Sequence, residues 1–149
     1  MRSFDLGRRF DAVTCLFRSI GYMPTVEDLS AAVATMARHL VDGGVLVVDG
    51  WVRPDAWRDP GTVQALAGGA GDLAAARVVR SRRTGDRTIL VMHILVATPD
   101  RVEHLVETHE LTLFADEGYR AAFAGAGLTV EVHPSPHPDR DRDVGLRRR

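Results

Sequence analysis

Apolar positions fall in blocks whose spacing changes along the chain. Ala12, Val13, Thr14, Cys15, Leu16 and Phe17 form a run without strict alternation, the pattern of a strand covered on both faces, as in a parallel sheet. After Pro24, Thr25 and Asp28 read as a capping box, and Leu29, Val33, Met36 and Leu40 recur at helical spacing until Gly43 and Gly44. Val45 to Val48 form a second short apolar run that leads into Asp49, Gly50 and Trp51. This order predicts strand, helix, strand: one βαβ unit (residues 1–53) of a parallel sheet with a right-handed crossover.

Residues 54–75 turn to Pro, Gly, Asp and Ala, which predicts a loop with a short helix and makes Gly-Gly-Ala-Gly-Asp at 68–72 a flexible connection. The period then shortens. Residues 77–83, 88–98 and 102–114 read as three strands of an antiparallel meander, joined at Thr84-Gly85-Asp86 and Pro99-Asp100. Tyr119, Ala122, Phe123 and Ala126 mark another helix stopped by Gly127, followed by a strand over 128–132 and a charged tail with one weak strand at 144–146. The fold class is α/β, in one domain.

Composition narrows the function without naming it. With 149 residues, 45% hydrophobic and 26% charged, the chain matches one ordinary globular domain. A formal net charge of -1 gives no chain-wide field for nucleic acid or an anionic membrane. The single Cys15 forms no internal disulfide, and no leader or membrane-length apolar run stands in the sequence, so the expected location is cytoplasmic.

Ligands of open α/β sheets bind beyond the carboxyl ends of the strands, which singles out 17–22 and 49–54. Arg18, Ser19 and Tyr22 surround Gly21 in the first, as polar groups around a close-approach glycine or as an ordinary loop. Asp49 and Trp51 offer a carboxylate and a flat aromatic in the second, with a structural role equally open. In the third meander strand, Glu107 and His109 interrupt a stripe of Leu105, Leu111 and Leu113, facing a ligand cavity or a wet edge. His93, inside Leu-Val-Met-His-Ile-Leu-Val, is a ligand contact or a satisfied core histidine. None of the six histidines has zinc spacing, so no metal site is expected, and no G-x-S-x-G, P-loop or G-x-G-x-x-G occurs. Arg77, Arg80, Arg82, Arg83 and Arg87 read as a phosphate site or, more simply, a solvated face.

Taken together, Met-Arg-Ser-Phe, the stretch from Arg8 to Tyr22, the helix Ser30 to Leu40, Asp42 to Trp51, Val96 to Phe114 and Tyr119 to Val132 resemble the C-terminal half of a class I S-adenosylmethionine-dependent methyltransferase. The closest resemblance is to N-methyltransferases that dimethylate nucleotide-linked amino sugars in macrolide antibiotic biosynthesis. It implies a partial Rossmann-like fold with an inserted three-stranded antiparallel meander, S-adenosylmethionine as cofactor, and a small-molecule substrate with neither nucleic acid nor membrane as partner. It implies further that Met1 lies beside the adenine and that Cys15, Leu16 and Phe17 border the methionine side of the cofactor. Arg18, Ser19, Tyr22, Asp49, Trp51, His93 and His109 are implied substrate contacts, with Tyr22 or His109 relaying the amine proton. Arg18, Val52 and Arg53 depart from the family pattern. In that family the glycine-rich loop and ribose-binding acid precede the position of Met1. The expectation is therefore an N-terminally truncated methyltransferase, inactive alone or completed by another polypeptide. The alternative is a non-catalytic remnant that homodimerises or binds a partner through an exposed strand edge.

Overall fold

The computed structural model describes residues 1–58, 61, 63–133 and 143–147. Two compact units emerge: Met1–Ala56 with Leu111–Arg149, and Trp57–Glu110.

The first unit is built on a mixed sheet of β1 (Phe10–Cys15), β2 (Leu40–Val48), β7 (Thr129–His133) and β8 (Asp143–Arg147), in the order β1-β2-β8-β7. β1 and β2 are parallel, and β8 runs antiparallel to both β2 and β7. The weak tail strand expected at 144–146 is β8. Helix α1 (Val26–Arg38) links β1 to β2, and α2 (Asp116–Gly125) precedes β7. The capping box at the start of α1 is real on its hydroxyl side: the Thr25 Oγ1 accepts from the Asp28 N–H at 3.2 Å, satisfying one of the unpaired first-turn donors. Leu29, Ala32, Val33 and Met36 from α1 and Tyr119, Ala122 and Phe123 from α2 meet Ile20, Leu40, Leu46 and Val48 in one buried cluster.

Four expectations need correction in this unit. Strand β1 ends at Cys15, because Phe17 and Arg18 take φ values of 55° and 60°, a left-handed turn that no strand continues through. It is also not covered on both faces: Val13 and Cys15 pack against the core of α1 and α2, whereas Ala12 and Thr14, on the opposite face, are exposed. Leu40 is the first residue of β2 rather than the last of α1. Gly43 and Gly44 do not stop a helix but form an irregularity within β2, where the register against β1 shifts between Phe10 and Ala12. Gly43 has φ 77°, and a Cβ on Gly44 would sit 2.9 Å from the Val41 carbonyl oxygen, so glycine answers both demands there.

The segment before β1 is docked onto α1. The His39 Nδ1 lies 2.8 Å from the Thr35 carbonyl, its Nε2 accepts from the Leu6 N–H at 3.0 Å, and its ring stacks on Phe4. Thr35 donates its hydroxyl to the Arg2 carbonyl at 2.8 Å.

The second unit is an antiparallel sheet of β3 (Val63–Ala70), β4 (Leu73–Thr84), β5 (Arg87–Ala97) and β6 (Val102–Thr112), in sequential order. It holds four strands, not the expected three. Residues 68–72 are no flexible loop: Ala70 pairs with Leu73 across a two-residue Gly71-Asp72 turn, with Gly71 at φ 56°. The hairpin was hidden because β3 is exposed along its whole length and rich in Ala and Gly, so it carries no hydrophobic period.

Candidate functional site at the ends of the parallel strands

The carboxyl ends of β1 and β2 are tied together by the Asp49 N–H, which donates to the Cys15 carbonyl at 2.9 Å. Beyond this tie the chain makes two turns, and their side chains interlock. The Arg18 guanidinium lies over the Trp51 ring, 5.2 Å from its centroid. Gly21 fits between the turns and the start of the second segment of this unit: a Cβ there would stand 3.0 Å from both the Trp51 Cβ and the Leu111 Cδ2. The structure therefore brings Arg18, Gly21 and Trp51 together, as the strand-end reading requires.

The other predicted residues are placed with differing degrees of freedom. Ser19 is committed to the turn, its hydroxyl donating to the Leu16 carbonyl at 2.7 Å. Tyr22 is 46% exposed in the 3₁₀ turn Ser19–Tyr22. Phe17 is 88% exposed although its backbone is strained, so nothing in the described fold rewards either feature. Cys15 is buried and its thiol donates to the Met1 Sδ at 3.8 Å, which brings two of the four expected cofactor contacts side by side. Burial first, and the Asp49 carboxylate second, push the Cys15 pKa up, so this sulfur stays a neutral thiol rather than a nucleophile.

Below the turns lies a residue that the sequence marked only as helical. Tyr119, in the first turns of α2, is 2% exposed, and a Cβ on Gly50 would lie 3.4 Å from its hydroxyl. Burial drives its pKa well above the ordinary phenol range; the Trp51 backbone opposes the rise, and Cys15, Asp49 and Asp116 add to it. Among the described residues, no group, the nearby Trp51 backbone included, meets full hydrogen-bond geometry with this hydroxyl. Its only signal in the sequence was a polar atom on an otherwise apolar helical face. Arg53, in the same segment, pairs with Asp116 at 3.3 Å and fixes the chain after Trp51 to the start of α2.

In the second unit His93 and His109 do not face one ligand together. His93 Nδ1 lies 3.0 Å from His104 Nε2, so the even-numbered residues of β6 share its face, and His109 points to the opposite one. There His109 pairs with Glu107 at 3.2 Å. The arginine run is likewise divided: Arg87 pairs with Glu110, Arg82 bonds Thr84, and Arg83 bonds the Gly85 carbonyl. Among the described residues, no group of three or more metal-ligating side chains converges.

A cleft of about 580 Å³ lined by Arg8, Arg9, Arg38 and His39 lies at the amino end of β1, the wrong end for a reaction site in this kind of sheet.

No protein-family model matches the sequence. The chain is 46% identical over 135 residues, 90% of its length, to the dTDP-3-amino-3,6-dideoxy-alpha-D-glucopyranose N,N-dimethyltransferase of Streptomyces fradiae. It is homologous to the amino-sugar N,N-dimethyltransferases. A second relative, the dTDP-3-amino-3,4,6-trideoxy-alpha-D-glucopyranose N,N-dimethyltransferase of Streptomyces venezuelae, is 46% identical over 132 residues. The chain spans about half the length of these relatives, 52% and 55%. Among solved structures, Streptomyces venezuelae DesVI matches 99% of the chain with a TM-score of 0.90 and 41% identity, over 61% of its own length. The S-adenosylmethionine-bound CalS10, an amino pentose methyltransferase from Micromonospora echinaspora, matches 98% with a TM-score of 0.82 and 38% identity, also over 61% of its length. The fold is thus that of the Rossmann-like methyltransferases, whose cofactor is S-adenosylmethionine.

The residues at the end of β1 fit one side of that cofactor. Two sulfur side chains and the exposed Leu16 and Phe17 offer an apolar, polarizable and uncharged wall.

Proposed function

We propose that this chain takes part in methyl transfer from S-adenosylmethionine to the amino group of a nucleotide-linked sugar, forming the acceptor side of the site. The observation that carries this reading is the 46% identity to an amino-sugar N,N-dimethyltransferase across 90% of the chain.

When bound, the cofactor supplies a methyl group on a positively charged sulfur, already a strong electrophile. The protein's task is then to hold a neutral amine in line with that methyl, a matter of positioning more than of acid–base strength. Met1, Cys15, Leu16 and Phe17 line the cofactor side. Trp51, fixed by Arg18 above and Gly21 beside it, presents a flat face to the sugar, and Asp49 holds the strand end. Tyr22 accepts the amine hydrogen bond, a smaller contribution than positioning. Arg18 and Ser19 complete the proposed sugar contacts, Ser19 through its turn rather than its committed hydroxyl.

Small-molecule binding in the cytoplasm accords with a chain whose described helices are none of them long and apolar enough to cross a membrane. The test is titration of the purified chain with dTDP-3-amino-3,6-dideoxyglucose, followed by ligand-observed NMR, with and without S-adenosylmethionine. Saturable sugar binding, lost in Trp51→Ala, is expected. Absence of binding under both conditions would overturn the reading.

One observation favours a second reading, in which the chain binds a partner polypeptide or a second copy by strand pairing. β1 has a neighbour on one side only among the described residues, and an edge of unpaired N–H and C=O groups is a template for another strand. Light scattering on the purified chain decides it, because a clean monomer across a wide concentration range excludes self-pairing.

A further inference from the structure

His93 on β5 and His104 on β6 stand on one face of the antiparallel sheet with Nδ1 and Nε2 3.0 Å apart. Their ring centroids are 5.2 Å apart and the planes are inclined by only 16°. The two nitrogens therefore meet nearly head-on, held by the pairing of two strands rather than by a flexible loop. A hydrogen bond explains the distance in the metal-free protein, but the same arrangement has a second chemical meaning.

We propose that His93 and His104 form a binding site for a single Cu²⁺ ion, with two cis imidazole ligands from the protein and water in the remaining positions. Nitrogens about 2.0 Å from a metal in cis positions of a tetragonal ion lie about 2.8 Å apart, whereas a tetrahedral ion separates them by about 3.3 Å. The present 3.0 Å is a hydrogen-bond distance that either ion would change, and the affinity order of divalent metals for nitrogen ligands is what favours Cu²⁺ over Ni²⁺ and Zn²⁺. Both rings are exposed, so rotation about their side-chain torsions is free to turn the two lone pairs from each other toward a common point. Proton balance is simple. The hydrogen now between the rings moves through solvent to the far nitrogen of the donor imidazole, and both facing nitrogens become acceptors without net loss of a proton.

The surroundings are mostly apolar and include a cation, the exposed Arg80, one pair along, across from Val91. The residue directly across from His93 on β4 is Val78, and Val91 and Leu95 flank it on β5. No cationic side chain stands directly opposite. The site lies within one compact unit and owes nothing to the strand-end residues of the other.

The experiment is titration of the purified chain with CuCl₂, read by electron paramagnetic resonance and calorimetry. One equivalent bound with a two-nitrogen coordination signature is expected, with affinity lowered at least tenfold in His93→Asn and in His104→Asn and unchanged in His133→Asn. Circular dichroism of the variants confirms that these exposed substitutions leave the sheet intact. Affinity within twofold of the parent in either pair variant would overturn the proposal, as would a one-nitrogen spectrum or binding lost in His133→Asn.

Discussion

The Arg18 guanidinium caps the Trp51 ring at 5.2 Å, joining the turn after one parallel strand to the turn after the next. A cation over an indole face at a partly exposed site contributes about 0.5–1 kcal/mol. Arg18→Met keeps the aliphatic stem and removes the charge, so urea unfolding should show a loss of about that size. On the proposed function, sugar-nucleotide affinity should fall with it, because Trp51 loses one of the contacts that fix its plane. Unchanged stability would mean that the stack contributes nothing.

Gly21 sets the same plane from the other side. Its added Cβ would stand 3.0 Å from Trp51 and from Leu111, closer than side chains ordinarily approach. Gly21→Ala must push one of them aside, at a cost of about 1–3 kcal/mol for overpacking. Thermal unfolding measures the cost, and a crystal structure or nuclear Overhauser contacts to the Trp51 indole would show which neighbour moves. A variant as stable as the parent, with Trp51 in place, would contradict the tight fit.

Phe17 combines a left-handed backbone with an exposed ring. Relieving the first costs the fold nothing through the second, so Phe17→Gly should stabilise the chain by about 1 kcal/mol. The same change should weaken S-adenosylmethionine binding if the ring is part of the cofactor wall. Denaturant midpoints and calorimetry separate the two effects, and a variant that loses stability would show that Phe17 is packed against something in solution.

What could be read from the sequence follows from how strongly each element is tied to burial. Helix α1 was legible because Leu29, Val33 and Met36 all point into one core and Thr25 announces its start. β7 was legible for the same reason on a smaller scale, Val130 and Val132 packing against that core. β3 was not, because a fully exposed strand of Ala and Gly takes its conformation from pairing with β4 and has no period of its own. The role of Gly43 and Gly44 was misread for a related reason. Two glycines mark a helix stop or a strand irregularity with equal force, and only the neighbouring carbonyls of Val41 and Asp11 distinguish them. At the candidate site, Arg18, Gly21 and Trp51 were found from strand-end topology, whereas Tyr119 required knowing which face of α2 is buried. The pairing of His93 with His104 depended on strand register, which no local pattern contains.

Thr25 tests whether the cap is as important as its position suggests. Its Oγ1 is the acceptor for the Asp28 N–H, and Glu27 and Asp28 place negative charge at the positive end of α1. Thr25→Ala should cost about 1 kcal/mol, and Thr25→Ser or Thr25→Asp should recover most of it. Urea midpoints of the three variants check the order, and an Ala variant indistinguishable from the parent would show that the cap is replaced by water.

Cys15 and Tyr119 should make the fold sensitive to alkali. Burial raises both pKa values, the Asp49 charge adding to the effect at each. The folded state therefore keeps protons that the unfolded chain gives up. The stabilisation is complete below the unfolded pKa values, about 8.5 for a thiol and about 10 for a phenol, and is lost as pH rises beyond each. Stability should decline from about pH 8.5 and more steeply above about pH 10, each group adding at most about 1.36 kcal/mol per pH unit. Cys15→Ala should flatten the first part of the decline and Tyr119→Phe the second. Because the Tyr119 hydroxyl makes no well-formed hydrogen bond among the described residues, removing it should leave stability at pH 7 unchanged or raise it by about 1 kcal/mol. Urea unfolding at intervals from pH 7 to about pH 11 spans both transitions. An alkaline slope that survives in Tyr119→Phe would place the responsible proton on another group.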